Sequence, residues 1–83
     1  MNSQYGTEEY LMEQIVEFNK LVGNKSFWTN LETAQRVAST LIKVSLDTAI
    51  KSDSIIQLIK GSLLNFNWRY NYISSHPMPM KGR

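Results

Sequence analysis

The strongest constraint on the fold is a regular row of apolar side chains in the last third of the chain. Six apolar residues follow one another at spacings of 4, 4, 3, 4 and 3: Ile55, Ile59, Leu63, Phe66, Tyr70 and Ile73. This spacing matches the period of an α-helix and not the alternation of a strand. Pro77 marks the end, because the residue before a proline disfavours helical conformation. The sequence therefore predicts a helix over residues 54–75.

Two earlier segments carry the same helical signal. Thr7 is a suitable N-cap for a first helix over residues 7–22, and Gly23 is expected to end that helix in a left-handed conformation. Thr29 and Glu32 have the spacing of a capping box, which predicts a second helix from there to about Ile50. The apolar stripe of the first helix is Leu11, Ile15, Phe18 and Val22.

The segment that separates the second and third helices is Lys51–Ser54, with the sequence KSDS. It contains neither glycine nor proline, so the prediction that the helix breaks here depends on the capping signals of its serines. Ser54 and Gln57 have the spacing of a second capping box. The alternative is one continuous helix across residues 30–75.

The length of 83 residues predicts one small domain. We expect an all-α domain over residues 1–76, built as a short N-terminal helix and a long antiparallel helical hairpin, with a flexible tail over residues 77–83. A chain of this size buries a modest core, and the absence of cysteine excludes disulfides. Assembly of several copies into a helical homo-oligomer is the remaining way to stabilise such a chain.

The charge is nearly balanced. The formal net charge is +2, and without Lys81 and Arg83 the seven remaining basic residues match the seven acidic ones. No dense basic face is available for duplex nucleic acid. The sequence begins without the pattern of a signal peptide and contains no long uninterrupted apolar run, so we expect a cytoplasmic protein with no membrane partner.

The sequence offers little for catalysis. His76, the single histidine, lies beside a proline at a helix end, where an exposed or capping role is expected. Glu13 and Glu17 are spaced four apart, as on a solvated helix face, and the four glycines form no phosphate-binding loop. We therefore expect a protein that is not an enzyme and that uses neither a metal nor a cofactor.

Helical geometry divides the aromatic residues of the third helix into two faces. At about 100° per residue, Trp68 and Tyr72 lie about 200° and 240° away from Phe66. Gly61 and Leu64 fall on the same side, and we call these four residues the aromatic face. An exposed patch of this composition marks an interface. The first helix, a second copy, a ligand or a foreign protein could each cover it.

A second aromatic and basic cluster lies around the first connector and comprises Lys20, Lys25, Phe27 and Trp28. Aromatic rings stack on bases and lysines neutralise phosphates, so these residues are candidates for binding a nucleotide. The structural alternative is that the two rings fill the end of the helical bundle.

The chain resembles the phage anti-CBASS sponge proteins, which are small helical homo-oligomers that sequester cyclic oligonucleotide signals. The resemblance lies in "EQI" at residues 13–15, in Ala38 and Leu41, in Ser52 at the turn, and in Trp68, Ile73 and His76. The alanine-rich segment that follows the Trp in that family is replaced by residues 69–72 here, and its F-x-Y-H-x-P type stretch is not visible. The resemblance implies a ligand pocket between protomers near the connector, with the Lys20, Lys25, Phe27 and Trp28 cluster as candidates by position.

Two functions follow as hypotheses. The first is a non-enzymatic phage-type anti-defence protein that sequesters a cyclic di- or trinucleotide between subunits, with the aromatic face as the oligomer interface. The second is a small phage effector that binds and inhibits a host protein through the aromatic face.

Overall fold

The computed structural model describes residues 3–76, and this part of the chain is all-helical, without strands. Three α-helices and one short 3-10 helix follow in order: α1 (Glu8–Val22), the 3-10 helix (Lys25–Thr29), α2 (Leu31–Leu46) and α3 (Asp53–Ser75). The all-α class predicted from the sequence is confirmed. The predicted tail, residues 77–83, lies outside the described residues.

Helix α1 begins as its sequence predicts but ends differently. The Thr7 hydroxyl accepts a hydrogen bond from the Tyr10 N–H at 3.2 Å, and two glutamates follow in the first turn. The predicted left-handed end at Gly23 is wrong, because Gly23 is right-handed with φ −83°. The chain instead continues to turn in the same sense, with the Asn24 N–H donating to the Leu21 carbonyl at 2.9 Å.

Helix α2 begins one residue later than predicted and ends earlier. Asn30, and not Thr29, is the N-cap, since its side chain accepts a hydrogen bond from the Thr33 N–H at 3.1 Å. Thr29 belongs to the 3-10 helix, where its hydroxyl donates to the Ser26 carbonyl. The helix stops at Leu46 and does not reach Ile50, and the N–H of Thr48 then bonds the Ser45 carbonyl in a tighter turn.

The segment between α2 and α3 is a true break, so the alternative of one continuous helix is wrong. Helix α3 begins at Asp53 with Ser52 at the N-cap position, and the predicted box of Ser54 with Gln57 does not start it. The Ser52 side chain does not cap the helix but shares a 2.8 Å hydrogen bond with the Ser54 hydroxyl. Glu8 of α1 accepts hydrogen bonds from the N–H groups of Lys51 and Ser52, just before this helix.

Helix α1 packs along α3 in the same direction. Its first residue, Glu8, contacts the backbone at the start of α3, and the carbonyl of its last residue, Val22, accepts a hydrogen bond from Arg69. With 15 residues, α1 is about as long as the 16-residue α2, and α3 is the longest helix at 23 residues. The core draws on every element: Leu11, Ile15, Phe18, Val22, Phe27, Trp28, Ala34, Ala38, Leu41, Val44, Ile55, Ile59 and Phe66.

None of the helices within residues 3–76 combines the length and the apolar character that crossing a membrane requires.

Candidate functional site

The aromatic face is open to solvent along α3. Trp68 is 75 % exposed, Leu64 is 70 % exposed and Tyr72 is 63 % exposed, while Phe66 on the other side of the helix is buried. Helix α1 packs on the buried side and leaves these side chains uncovered. The structure thus brings Gly61, Leu64, Trp68 and Tyr72 together on one surface, as the helical geometry predicts.

Two shallow grooves lie on either side of Trp68. One has a volume of about 450 Å³ and is lined by Gly61, Leu64 and three asparagines: Asn65, Asn67 and Asn71. The other has a volume of about 490 Å³ and is lined by Arg69, Tyr72 and Ile73. The indole of Trp68 therefore stands between a side with amide donors and acceptors and a side with a guanidinium, which pairs with carboxylates and phosphates.

His76 extends the aromatic face by one more ring. Its imidazole stacks on Tyr72 with 4.4 Å between ring centroids and 19° between planes, and its Nδ1 lies 3.0 Å from the Tyr72 carbonyl oxygen. The sequence alone predicts only an exposed or capping histidine here. The missed signal is the spacing of Trp68, Tyr72 and His76, which are four residues apart and so follow one side of the helix.

The connector aromatics lie inside the protein. Trp28 and Phe27 are 5 % and 9 % exposed, and the Trp28 ring packs 5.3 Å from the Phe66 ring. The Trp28 indole N–H donates to the Val22 carbonyl at 2.9 Å, so its polar atom is satisfied. This arrangement is the predicted alternative in which the two rings fill the end of the bundle, and neither ring offers an open face for a base.

The two lysines of the connector cluster remain at the surface. The Lys20 ammonium lies 3.6 Å from the Glu17 carboxylate in a solvated pair within α1, and Lys25 is exposed in the 3-10 helix. Such an exposed pair contributes little to stability. The structure therefore separates the predicted cluster into buried rings and exposed charges, and the lysines are accessible without an adjoining open ring.

The Arg69 side chain lies between the end of α1, where the connector begins, and the aromatic face. Its guanidinium donates to the Val22 carbonyl at 3.4 Å, the same carbonyl that accepts the Trp28 indole N–H. Carbonyls at a helix C-terminus carry partial negative charge, so a cation is favoured there. The same side chain lines the groove beside Trp68, which places a fixed positive charge at the edge of the aromatic face.

Two carboxylates with a lowered pKa, those of Glu8 and Asp47, form hydrogen bonds that hold the N-terminal segment in place. Hydrogen bonds from the backbone N–H groups of Lys51 and Ser52 lower the pKa of Glu8. The Tyr5 hydroxyl donates to Asp47 at 2.6 Å, which lowers the pKa of Asp47 and raises the pKa of Tyr5. These contacts join distant parts of the chain, and no group of three potential metal ligands occurs within residues 3–76.

No known protein family, no curated protein and no solved structure matches this chain. Function therefore has to be inferred from the exposed surfaces. Among the predicted site residues, those of the aromatic face are the ones that the structure leaves accessible as a connected group.

Proposed function

We propose that the protein is a non-enzymatic binding protein that works as a homo-oligomer, with the aromatic face of an antiparallel α2–α3 hairpin as the contact between subunits. The observation that carries this proposal is the exposure of Trp68, at 75 %, on a helix whose opposite side is already buried. Exposed tryptophan and tyrosine side chains are the residues that most often dominate the energy of protein interfaces. A small domain also gains stability when a second copy covers such a surface.

The activity that we propose for the assembly is sequestration of a cyclic di- or trinucleotide between subunits, as in a phage-type anti-defence protein in the host cytoplasm. Support comes from the polar groups at the rim of the aromatic face: asparagine amides line one groove beside Trp68 and the guanidinium of Arg69 lines the other, and such groups bind bases and phosphates. The exposed ammonium groups of Lys20 and Lys25 are further candidates to neutralise phosphates. Phe27 and Trp28 contribute to this proposal only by supporting the core beneath Arg69.

A thermal-stability titration tests the ligand. A nucleotide that binds only the native protein raises the free energy of unfolding by about 2.7 kcal/mol when its concentration is 100 times its dissociation constant. We expect a raised melting temperature with one or more members of a panel of cyclic di- and trinucleotides, and a smaller rise for Arg69→Gln. The absence of any shift across the panel would end the sequestration proposal.

A second candidate function is inhibition of a host protein through the same face. The observation that favours it is the lack of charge at Gly61, Leu64, Trp68 and Tyr72, because phosphates require cations whereas an apolar protein partner does not. Light scattering distinguishes the candidates. A monomer at micromolar concentration would leave the aromatic face to a foreign protein, and an oligomer would support the first proposal.

A further inference from the structure

We propose that two copies pack antiparallel along α3, around a two-fold axis between Leu64 and Asn65, so that Trp68 of each copy fills the space over Gly61 of the other. This inference rests on the proposed homo-oligomer and specifies its geometry. The partner is a second copy of this chain, and the contact is isologous, since each copy contributes the same surface.

The first observation is the open space over Gly61. A Cβ atom added at Gly61 would meet nothing within 4 Å, although the residue lies in the interior of a helix, where glycine costs stability. Trp68 follows seven residues later, which is two helical turns or about 10 Å along the axis and only about 20° around it. The smallest and the largest side chains of the aromatic face therefore lie on one line.

The second observation concerns which side chains face each other in the two possible orientations, antiparallel and parallel, of a pair of α3 helices. An antiparallel pair centred between Leu64 and Asn65 sets Gly61 opposite Trp68 on both sides of the axis. A parallel pair in register would set Trp68 against Trp68 and leave the two Gly61 positions facing an empty space. Well-packed interfaces place large side chains opposite small ones, so the antiparallel orientation is favoured.

The third observation concerns the length and the exposed area of α3. Helix α3 runs from Asp53 to Ser75, and its middle residue is Leu64, so the antiparallel pair overlaps along nearly the whole helix. From the usual size of aromatic side chains, Trp68 and Tyr72 together present roughly 200–350 Å² per copy at their exposed fractions. A stable dimer buries about 600–1,000 Å² per partner. Leu64, at 70 % exposed, and Leu58, at 45 % exposed, add to this area together with the asparagines that flank Trp68.

Cysteine cross-linking tests the orientation, because the chain contains no cysteine of its own. Ser54 and Ser75 lie at opposite ends of α3, are both exposed, and lie within about 40° of Trp68 around the helix. The proposed axis sets Ser54 of one copy opposite Ser75 of the other. Single variants Ser54→Cys and Ser75→Cys are prepared separately and oxidised either alone or after mixing, and the products are separated on a non-reducing gel and identified by mass spectrometry.

We expect the mixed disulfide of Ser54→Cys with Ser75→Cys to form at least about tenfold faster than either disulfide of one variant with itself, because docking raises the effective concentration of the facing thiols to the millimolar range. Ser39→Cys, at an exposed position of α2, supplies the rate of random collision. Cross-linking of each variant with itself as fast as the mixed pair would overturn the antiparallel geometry.

The failure of this inference is distinguishable from the failure of the proposed function. Light scattering of the unmodified protein measures association without regard to orientation. A dimer with the wrong cross-linking pattern would overturn only the antiparallel geometry, whereas a monomer would overturn both the geometry and the homo-oligomer.

Discussion

The two tryptophans of this chain have opposite surroundings. Trp28 is 5 % exposed, packs against Phe66 and donates its indole N–H to the Val22 carbonyl, whereas Trp68 is 75 % exposed and stands between two open grooves. One residue type therefore serves the core at one position and the surface at the other. The comparison teaches that the role of an aromatic residue in so small a bundle is decided by its position around a helix.

Phe66 contacts Trp28 in the core and lies only two residues from the exposed Trp68 in the sequence. Its ring contacts Phe18 and Trp28 on the buried side, and Tyr70 stacks on it one turn later with 5.8 Å between centroids. Trp68 is only two residues away, but two residues rotate the side chain by about 200°. The chain thus passes from core to surface within half a turn of α3.

Trp28→Ala is the change with the largest expected effect, because it removes a buried ring and leaves a cavity beside Phe66. Truncations of this kind cost about 3–5 kcal/mol, which is most of the stability of a small domain. Urea denaturation followed by circular dichroism measures the loss. Trp28→Phe is the matched control: it keeps most of the packing and loses the 2.9 Å hydrogen bond, so it should cost clearly less. Equal losses for the two variants would contradict a packing role.

Trp68→Ala should weaken association while leaving the stability of the monomer nearly unchanged. The free energy of unfolding of the monomer should change by no more than about 0.5 kcal/mol, as for other exposed positions. Association of two copies should weaken by about 2 kcal/mol or more, roughly 30-fold in the dissociation constant, because an interface tryptophan is lost. Sedimentation and denaturation of the same sample provide both values. A large loss of monomer stability with unchanged association would reverse the roles assigned to the two tryptophans.

Gly61→Ala should have opposite effects on the stability of the monomer and on the association of two copies. A methyl group at this position meets nothing within 4 Å, so the isolated helix should gain about 0.5–1 kcal/mol from the better helix former. In the antiparallel pair the same methyl group would enter the space that Trp68 occupies, and association should weaken. Denaturation curves recorded above and below the dissociation concentration measure both effects, and a gain in association would argue against the Trp68–Gly61 contact.

Glu8→Gln has the smallest expected effect and concerns neither tryptophan. The pKa of Glu8 is lowered from its ordinary value of 4.5 in the folded state. Its contribution to stability is therefore fully present above that value and is lost as the pH falls through the lower folded-state pKa. Melting temperatures between pH 3 and pH 7 should depend less steeply on acid in the variant than in the unmodified protein. Parallel curves for the two proteins would show that the carboxylate does not contribute.

The helices were predictable from the sequence because each has a regular apolar stripe. Leu11 and Ile15 of α1 and Ile55 and Ile59 of α3 are buried as the period predicts. The ends were less predictable, because adjacent residues compete for the same capping role. Thr29 and Asn30 can both cap α2. Thr29 is part of the 3-10 helix, which has no periodic sequence signal, and Asn30 is therefore the N-cap.

The candidate site was only partly predictable. The separation of Trp68 and Tyr72 from Phe66 follows from the rotation per residue alone, so the aromatic face was expected from the sequence. The burial of Phe27 and Trp28 depends on how the connector packs against Phe66 of α3, a tertiary contact that leaves no local pattern. Helical periodicity places Trp68 and Tyr72 on one side of α3 but does not say which surface packs against them.

The hydrogen bonds from Lys51 and Ser52 to Glu8 join residues that are 43 and 44 positions apart. Glu8, in the first turn of α1, thus binds the backbone just before α3, where the Ser52 side chain makes no capping hydrogen bond. These two N–H groups lose their hydrogen-bond acceptor whenever α1 detaches, so their protection from hydrogen exchange depends on the docking of α1. The amide protons of Lys51 and Ser52 are therefore local reporters of whether the start of α1 stays docked against the segment that precedes α3.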